Sequence, residues 1–322
     1  MTTREQLLAV KLGALVRDRA PDAVLQPGEF GGGAALMARS TAWVLLDDRP
    51  ERGLGPAVAW ALRQNATEVN ILAEHAAGML ARRAVGWTPP VRVWQIVDRE
   101  LKPVEPEPLP AATPLARAHV QLEPIIREGG AEPIIEHGVL AGEVDGLEVC
   151  RVVTDHHTDA VRLEVGVGAH DREAFQLLHG DRPTGEALAD VVNAVREHRR
   201  PGSARHPLNL LAQERALRAR LIAEPGLIGA SDVRPVAPPV ARMNVKDAVP
   251  CVAEATIASR RVTVVCSTGV DLDVVPFAVD AMASCGSKEC LIIVPARDAL
   301  DIQHRLAAAA PGAIAITPLG TP

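Results

Sequence analysis

Residues 43–96 and 263–316 lie over one another at a constant offset of 220 without a gap, and this repeat constrains the fold more than any motif does. "WVLLDD" falls on "TVVCST" and "GPAVAWAL" on "VPFAVDAM"; "VNILA" pairs with "ECLIIV" and "VRVWQI" with "GAIAIT". Only six positions are identical (Val44, Pro56, Ala61, Ala76, Leu80 and Ile96 in the first copy), so identity carries little of the argument. The shared order of short Val- and Ile-rich runs and amphipathic stretches carries it, because those two periods separate strands from helices. Each copy therefore reads strand, helix, strand, helix, strand, and predicts a βαβαβ unit with parallel strands and right-handed crossovers. An extended stretch precedes each copy, "GGGAALMARS" and "VPCVAEATIA", placed to form a hairpin with the unit's first strand. Pro56 and Pro276 are expected in the first turn of equivalent helices, where a missing N–H costs nothing.

Proline-rich segments mark the boundaries. The run from Pro103 to Pro114 and "DVRPVAPPVARMNVKDAVP" read as linkers. The expected organisation is an N-terminal α/β unit at 1–102, a linker at 103–113, a central α/β module at 114–231 and a C-terminal α/β unit at 232–322. The fold class is thus α/β, with two similar βαβαβ units flanking a central module.

In that module a helix, "PLARAHVQLEPIIREGG", is followed by three extended segments, "EPIIEHGVL", "LEVCRVVT" and "AVRLEVGVG". A short helix, "DREAFQLL", and a longer one, "GEALADVVNAVREHRR", complete it. Helix, three strands, helix resembles the core of the PD-(D/E)XK nuclease-like superfamily, over the central module alone. The resemblance implies an acidic residue near the second strand, for which Glu143, Asp145 and Glu148 are available, and a Glu-x-Lys on the third strand. Glu164 stands at the glutamate position, but Gly166 stands at the lysine position. All four lysines lie outside the module, and arginine cannot serve as a water-activating base. The resemblance accordingly implies a degenerate centre. Its metal would be Mg²⁺ or Mn²⁺ held by Glu148, Glu164 and Asp145, with His170 beside it as a further catalytic candidate.

Glu136, His137, Asp155, His156, His157 and Asp171 enlarge this gathering of potential ligands. A mid-strand carboxylate in apolar surroundings needs a partner or a metal. Solvent-facing alternation accounts for Glu148 and Glu164 as well, since each alternates with Leu or Val. "VGVGAHD" offers the first half of a phosphate-binding glycine loop. Asp171 replaces its third glycine, however, and would cap the helix and repel a phosphate from the same amides.

Arg196–Arg220 holds seven arginines against two glutamates. Arg199, Arg200, Arg215 and Arg218 are candidates for phosphate contacts, and a solvated helical face is the alternative. A net charge of −6 opposes a protein-wide nucleic-acid footprint, and seven aromatic residues, none of them tyrosine, leave little for base stacking. Five cysteines (Cys150, Cys251, Cys266, Cys285, Cys290) form no CxxC pair and read as buried thiols. No apolar run is long enough to span a bilayer, and no signal peptide follows the N-terminus, so a cytoplasmic protein is expected. Asp47, Asp48, Asp271 and Asp273 follow the first strand of each repeat, where α/β folds bind ligands or cap helices. Ser-His-Asp elbow, P-loop and HExxH patterns are absent from the sequence.

The chain as a whole resembles uncharacterised alanine- and arginine-rich proteins of actinobacteria, a resemblance that implies no activity. The function expected from the sequence is association with nucleic acid through a degenerate nuclease-like centre. The competing readings are a metal-dependent hydrolase using the central carboxylates, and an interaction scaffold that binds a protein partner without catalysis.

Overall fold

A computed structural model describes the chain except for residues 1–2, 156, 180–182, 201–205, 243, 245 and 321–322. A first sheet is built from β1 (Leu25–Gly28), β2 (Gly33–Ala38), β3 (Thr41–Leu46), β4 (Glu68–Ala73), β5 (Val91–Val97) and β6 (Glu100–Pro103), in that spatial order. β1, β2 and β3 run antiparallel, β3, β4 and β5 run parallel, and β6 turns back antiparallel. Helix α1 (Thr3–Arg17) precedes the sheet, while α2 (Leu54–Arg63) and α3 (Ala77–Arg83) form the two crossovers. β3 and β4 are buried along almost their whole length, as parallel strands covered on both faces must be. One face receives Leu12, Leu15 and Val16 of α1 against Leu36, Trp43, Leu45 and Leu72.

The central segment starts with two short helices, α4 (Arg117–Val120) and α5 (Glu123–Glu128), rather than the single helix expected. Pro124 lies in the first turn of α5, where proline is at home and the preceding helix cannot run on through it. Four strands follow: β7 (Glu132–Glu136), β8 (Val139–Val144), β9 (Leu147–Thr154) and β10 (Val161–Val165). The three strands expected become four because "EPIIEHGVL" folds back on itself at His137 and Gly138, both at positive φ (49° and 75°). The sheet is an antiparallel meander ordered β10-β9-β8-β7. Helices α6 (Gly168–His179), α7 (Thr184–Arg199) and α8 (Gln213–Ala223) come next. Leu188, Val192 and Val195 of α7 join Leu140, Val144, Val152 and Leu163 in one apolar cluster on one face of the meander. The β8–β9 turn requires glycine at its second position. Gly146 has φ 78°, and a Cβ there would overlap the backbone of Arg215 in α8.

The last third forms a sheet ordered β11 (Asp232–Val236), β12 (Cys251–Ile257), β13 (Arg260–Cys266), β14 (Glu289–Pro295) and β15 (Ala313–Leu319), with α9 (Val274–Cys285) and α10 (Asp301–Ala309) between strands. β11–β12 and β12–β13 are antiparallel, which repeats the meander that leads into β3. The expected element order holds in both copies, and Pro56 and Pro276 are each the third residue of their helix. The protein is α/β, and among the described residues no helix is long and apolar enough to cross a membrane.

Contacts divide the chain into two units, one of Met1–Leu109, Val270–Ile292 and Ala299–Thr317, the other of Pro110–Gly269, Ile293–Asp298 and Pro318–Pro322. Within the first unit the helices of the two copies pack reciprocally, α3 on α9 and α10 on α2. Buried Arg83 donates through Nη1 to the carbonyl of Glu51 (3.2 Å), and buried Gln303 donates through Nε2 to the carbonyl of Asp271 (3.3 Å). Both the donors and the acceptors are 220 residues apart, so the repeat extends to individual polar contacts. Within the second unit, α8 sets Glu214, Arg215, Arg218 and Leu221 on its buried face and packs on β11, β12 and β13.

Candidate functional site

The central carboxylates do converge, but on arginines. An extra residue in β9 opposite Gly142 and Glu143 shifts the register. Val149 and Cys150 consequently both join the apolar core, and Glu148 shares the opposite face with Arg151. Glu148 is buried and accepts from Arg151 Nε and Nη2, both at 2.9 Å, and from Arg172 Nη1 of α6 at 2.9 Å. Glu164 of β10 lies directly opposite Arg151, accepts from Arg162 Nη2 at 2.9 Å, and stands 3.7 Å from Arg172 Nε. Arg172 thus occupies the space between the two glutamates where the nuclease-like reading placed a metal. Asp145 does not join them: it is the first residue of the β8–β9 turn, at φ 46°. Among the described residues no group of three or more His, Cys, Asp or Glu side chains is placed to hold a metal ion. The donor set does not fit Mg²⁺ or Mn²⁺, because guanidinium groups already neutralise both glutamates.

The corner "GVGAHD" is a helix start. The Asp171 carboxylate accepts the Val167 N–H at 2.7 Å, which occupies the amide a phosphate would need. Gly166 takes φ 137°, and a Cβ there would lie 2.8 Å from the Arg172 amide nitrogen. His170 is exposed on the first turn of α6 and lies outside the carboxylate cluster. Asp155 turns the β9–β10 loop. It accepts from the backbone N–H groups of His157 and Thr158 and from Arg162 Nη1, and these bonds hold it well below the usual carboxylate range. His156 lies outside the described residues.

The four arginines Arg199, Arg200, Arg215 and Arg218 do not share one exposed face. Arg215 and Arg218 are buried and clamp Glu136 and Glu143. Burial alone would raise the Glu136 pKa, but Arg218 and Arg215 outweigh it and hold the group below its ordinary value. Arg199 is spent on the carbonyls of Leu208 and Leu211, and burial lowers its pKa. Arg200 alone of the four is exposed. Helix geometry is the cause. A helix that places Arg215 and Arg218 three positions apart turns both toward the two glutamates on the polar face of the meander, and a buried carboxylate requires such a partner.

An open site lies instead in the first unit, at the carboxyl end of β3. There a cavity of about 500 Å³ is bordered by the β1–β2 loop (Phe30, Gly31, Gly32), by Asp48, Arg49 and Arg52 before α2, and by Val270–Leu272 before α9. Arg52 Nη2 donates to Asp271 Oδ2 at 2.7 Å, and Arg49 stands 4.0 Å from Asp48. The position matches the rule that open α/β sheets bind ligands outside the carboxyl ends of their parallel strands. Below the cavity, Asp271 Oδ1 accepts the Asp273 N–H at 3.0 Å. Asp273, for which the sequence left open ligand binding or capping of its own helix, caps the other copy's: its Oδ1 accepts the Gly55 N–H of α2 at 3.2 Å, and its Oδ2 meets Arg83 at 3.2 Å. Burial pushes its pKa up to about 7 against the opposing pull of Arg83 and the Gly55 amide. Asp280 shares Arg83 at 2.7 Å and also binds Arg82 at 3.0 Å.

The residues equivalent to Asp48 and Arg49, Thr268 and Gly269 after β13, belong to the second unit and have their donors taken. Asp298 accepts the Gly269 N–H at 2.8 Å, and Glu214 accepts the Thr268 hydroxyl at 2.6 Å. The first turn carries Asp48, Arg49 and Arg52 where the second has Thr268, Gly269 and Leu272. Asp48 and Asp271 were singled out from the sequence, but Phe30, Arg49 and Arg52 were not. The signal that would have found the two arginines is their replacement by Gly269 and Leu272 at the 220 offset. Comparison with known proteins found no matching family, no matching curated protein and no matching solved structure.

Proposed function

We propose that the protein binds a small molecule through an anionic group, at the carboxyl end of β3, with Arg49 and Arg52 as the receiving cations. The observation that carries this reading is the cavity of about 500 Å³ with two arginines and the Gly31–Gly32 backbone on its walls. Its volume falls in the usual range for small-ligand sites. A guanidinium has five N–H donors, so the single bond from Arg52 Nη2 to Asp271 leaves it able to grip a carboxylate or phosphate. The paired central glutamates weigh against a metal-dependent hydrolase, and the buried Arg215 and Arg218 weigh against nucleic-acid binding through that segment. Titration calorimetry with propionate and with inorganic phosphate tests the reading. Saturable binding that Arg49→Gln with Arg52→Gln abolishes supports it; equal heats from wild type and the double variant refute it.

A further inference from the structure

We propose that the ligand of this cavity is a zwitterion with an apolar side chain, a free α-amino acid, which extends the anion-site reading above and rests on it. The first ground is charge balance. Two cations, Arg49 and Arg52, and two anions, Asp48 and Asp271, line the cavity. A ligand with a net negative charge competes with both aspartates for the arginines. A net-neutral ligand carrying one charge of each sign leaves the balance unchanged and gives each wall group a partner.

The second ground is the division of labour between the aspartates. Asp271 is committed, receiving Arg52 on Oδ2 and the Asp273 amide on Oδ1. Asp48 is largely exposed, with only a 4.0 Å approach from Arg49. It is the carboxylate open to an ammonium group, while Arg49 and Arg52 take the ligand's carboxylate.

The third ground is the apolar remainder of the wall. Phe30, Val270 and Leu272 border the same cavity, and Val270 is 58% exposed, a large apolar side chain left in water at the rim. An aliphatic or aromatic side chain laid against Phe30 and Val270 removes that surface from water. An amino acid presents carboxylate, ammonium and apolar group on one carbon, and so meets all three walls together.

The test is calorimetry on the full chain with L-leucine, N-acetyl-L-leucine, L-leucinamide and propionate. We expect L-leucine to bind more tightly than either derivative by about fivefold or more, the scale of one exposed ion pair. Asp48→Asn should erase the preference over the acetylated form while leaving the melting temperature unchanged, since Asp48 is exposed. If N-acetyl-L-leucine and propionate bind as well as L-leucine, and Arg49→Gln with Arg52→Gln abolishes all three, the anion site stands and the amino-acid proposal is overturned. If none of these binds but inorganic phosphate does, the anion site stands and the amino-acid proposal is overturned; if phosphate fails as well, both fail.

Discussion

After β3 the chain turns into α2 through Asp48, Arg49 and Arg52 and borders a cavity of about 500 Å³. After β13, at the same place in the second copy, it turns through Thr268 and Gly269, whose hydroxyl and amide are taken by Glu214 and Asp298. The difference shows how one supersecondary unit can serve two ends. In the second copy, acids from other segments take the hydroxyl of Thr268 and the amide of Gly269, and that crossover gives the cavity only the wall formed by Val270, Asp271 and Leu272. In the open copy the crossover holds charges exceeding what its own fold uses. Arginine is correspondingly of two kinds here: Arg83, Arg172, Arg215 and Arg218 neutralise buried acids, while Arg49 and Arg52 face a cavity.

The sharpest way to break that distinction is to remove a buried arginine. Arg218 is 1% exposed and bridges Glu136 and Glu143, so Arg218→Ala leaves carboxylates in the interior short of a partner. A loss of about 3–5 kcal/mol is expected by urea denaturation. Arg218→Met together with Glu143→Gln should recover part of it, because less charge is then left uncompensated.

Asp273 comes next. Its folded pKa of about 7 lies above the ordinary 3.8, so between those values the folded state holds a proton that the unfolded state has lost. Stability therefore falls as pH rises through that window and levels off above it, by an amount on the order of 4 kcal/mol. Glu136 has the opposite sign: held below its ordinary value, it stabilises at neutral pH and loses that contribution as pH falls. Denaturation of wild type and Asp273→Asn from pH 4 to 8 separates the two. The falling limb should flatten in the variant, and unchanged slopes would show that Asp273 is ionised throughout.

The smallest effects belong to the two crossovers themselves. Asp298→Ala removes the carboxylate acceptor of the Gly269 amide, which water can then reach, and should cost about 1–1.5 kcal/mol. Arg52→Gln breaks a half-exposed pair and should cost less than about 1 kcal/mol. Thermal melts that reversed this order would erase the contrast between a closed turn and an open one.

Much of the fold was legible because strands and helices leave periodic traces. The 220 offset located both βαβαβ copies and their leading hairpins, and the Gly129–Gly130 pair marked where α5 stops. The hairpin at His137–Gly138 was hidden inside a segment short enough to read as one extended strand. The buried face of α8 was hidden for a different reason: arginine is read by default as solvent-facing, and only its encounter with Glu136 and Glu143, more than 70 residues earlier, reverses that. The cavity was illegible as a site because its wall joins Phe30 and Arg52 to Asp271, which is 219 residues beyond Arg52, and no local pattern records such a meeting. Glu148 and Glu164 were open to two readings from the sequence, carboxylates needing a partner or metal and carboxylates facing solvent. Their partners are Arg151, Arg162 and Arg172 rather than a metal.

The contrast between the two crossovers is tested most directly by following backbone amide resonances of the full chain during a propionate titration. Saturable shifts are expected at Gly31, Gly32, Arg49, Arg52 and Gly53, with Thr268 and Gly269 moving much less. Shifts at Thr268 and Gly269 of equal size, or none at the first group, would contradict that contrast.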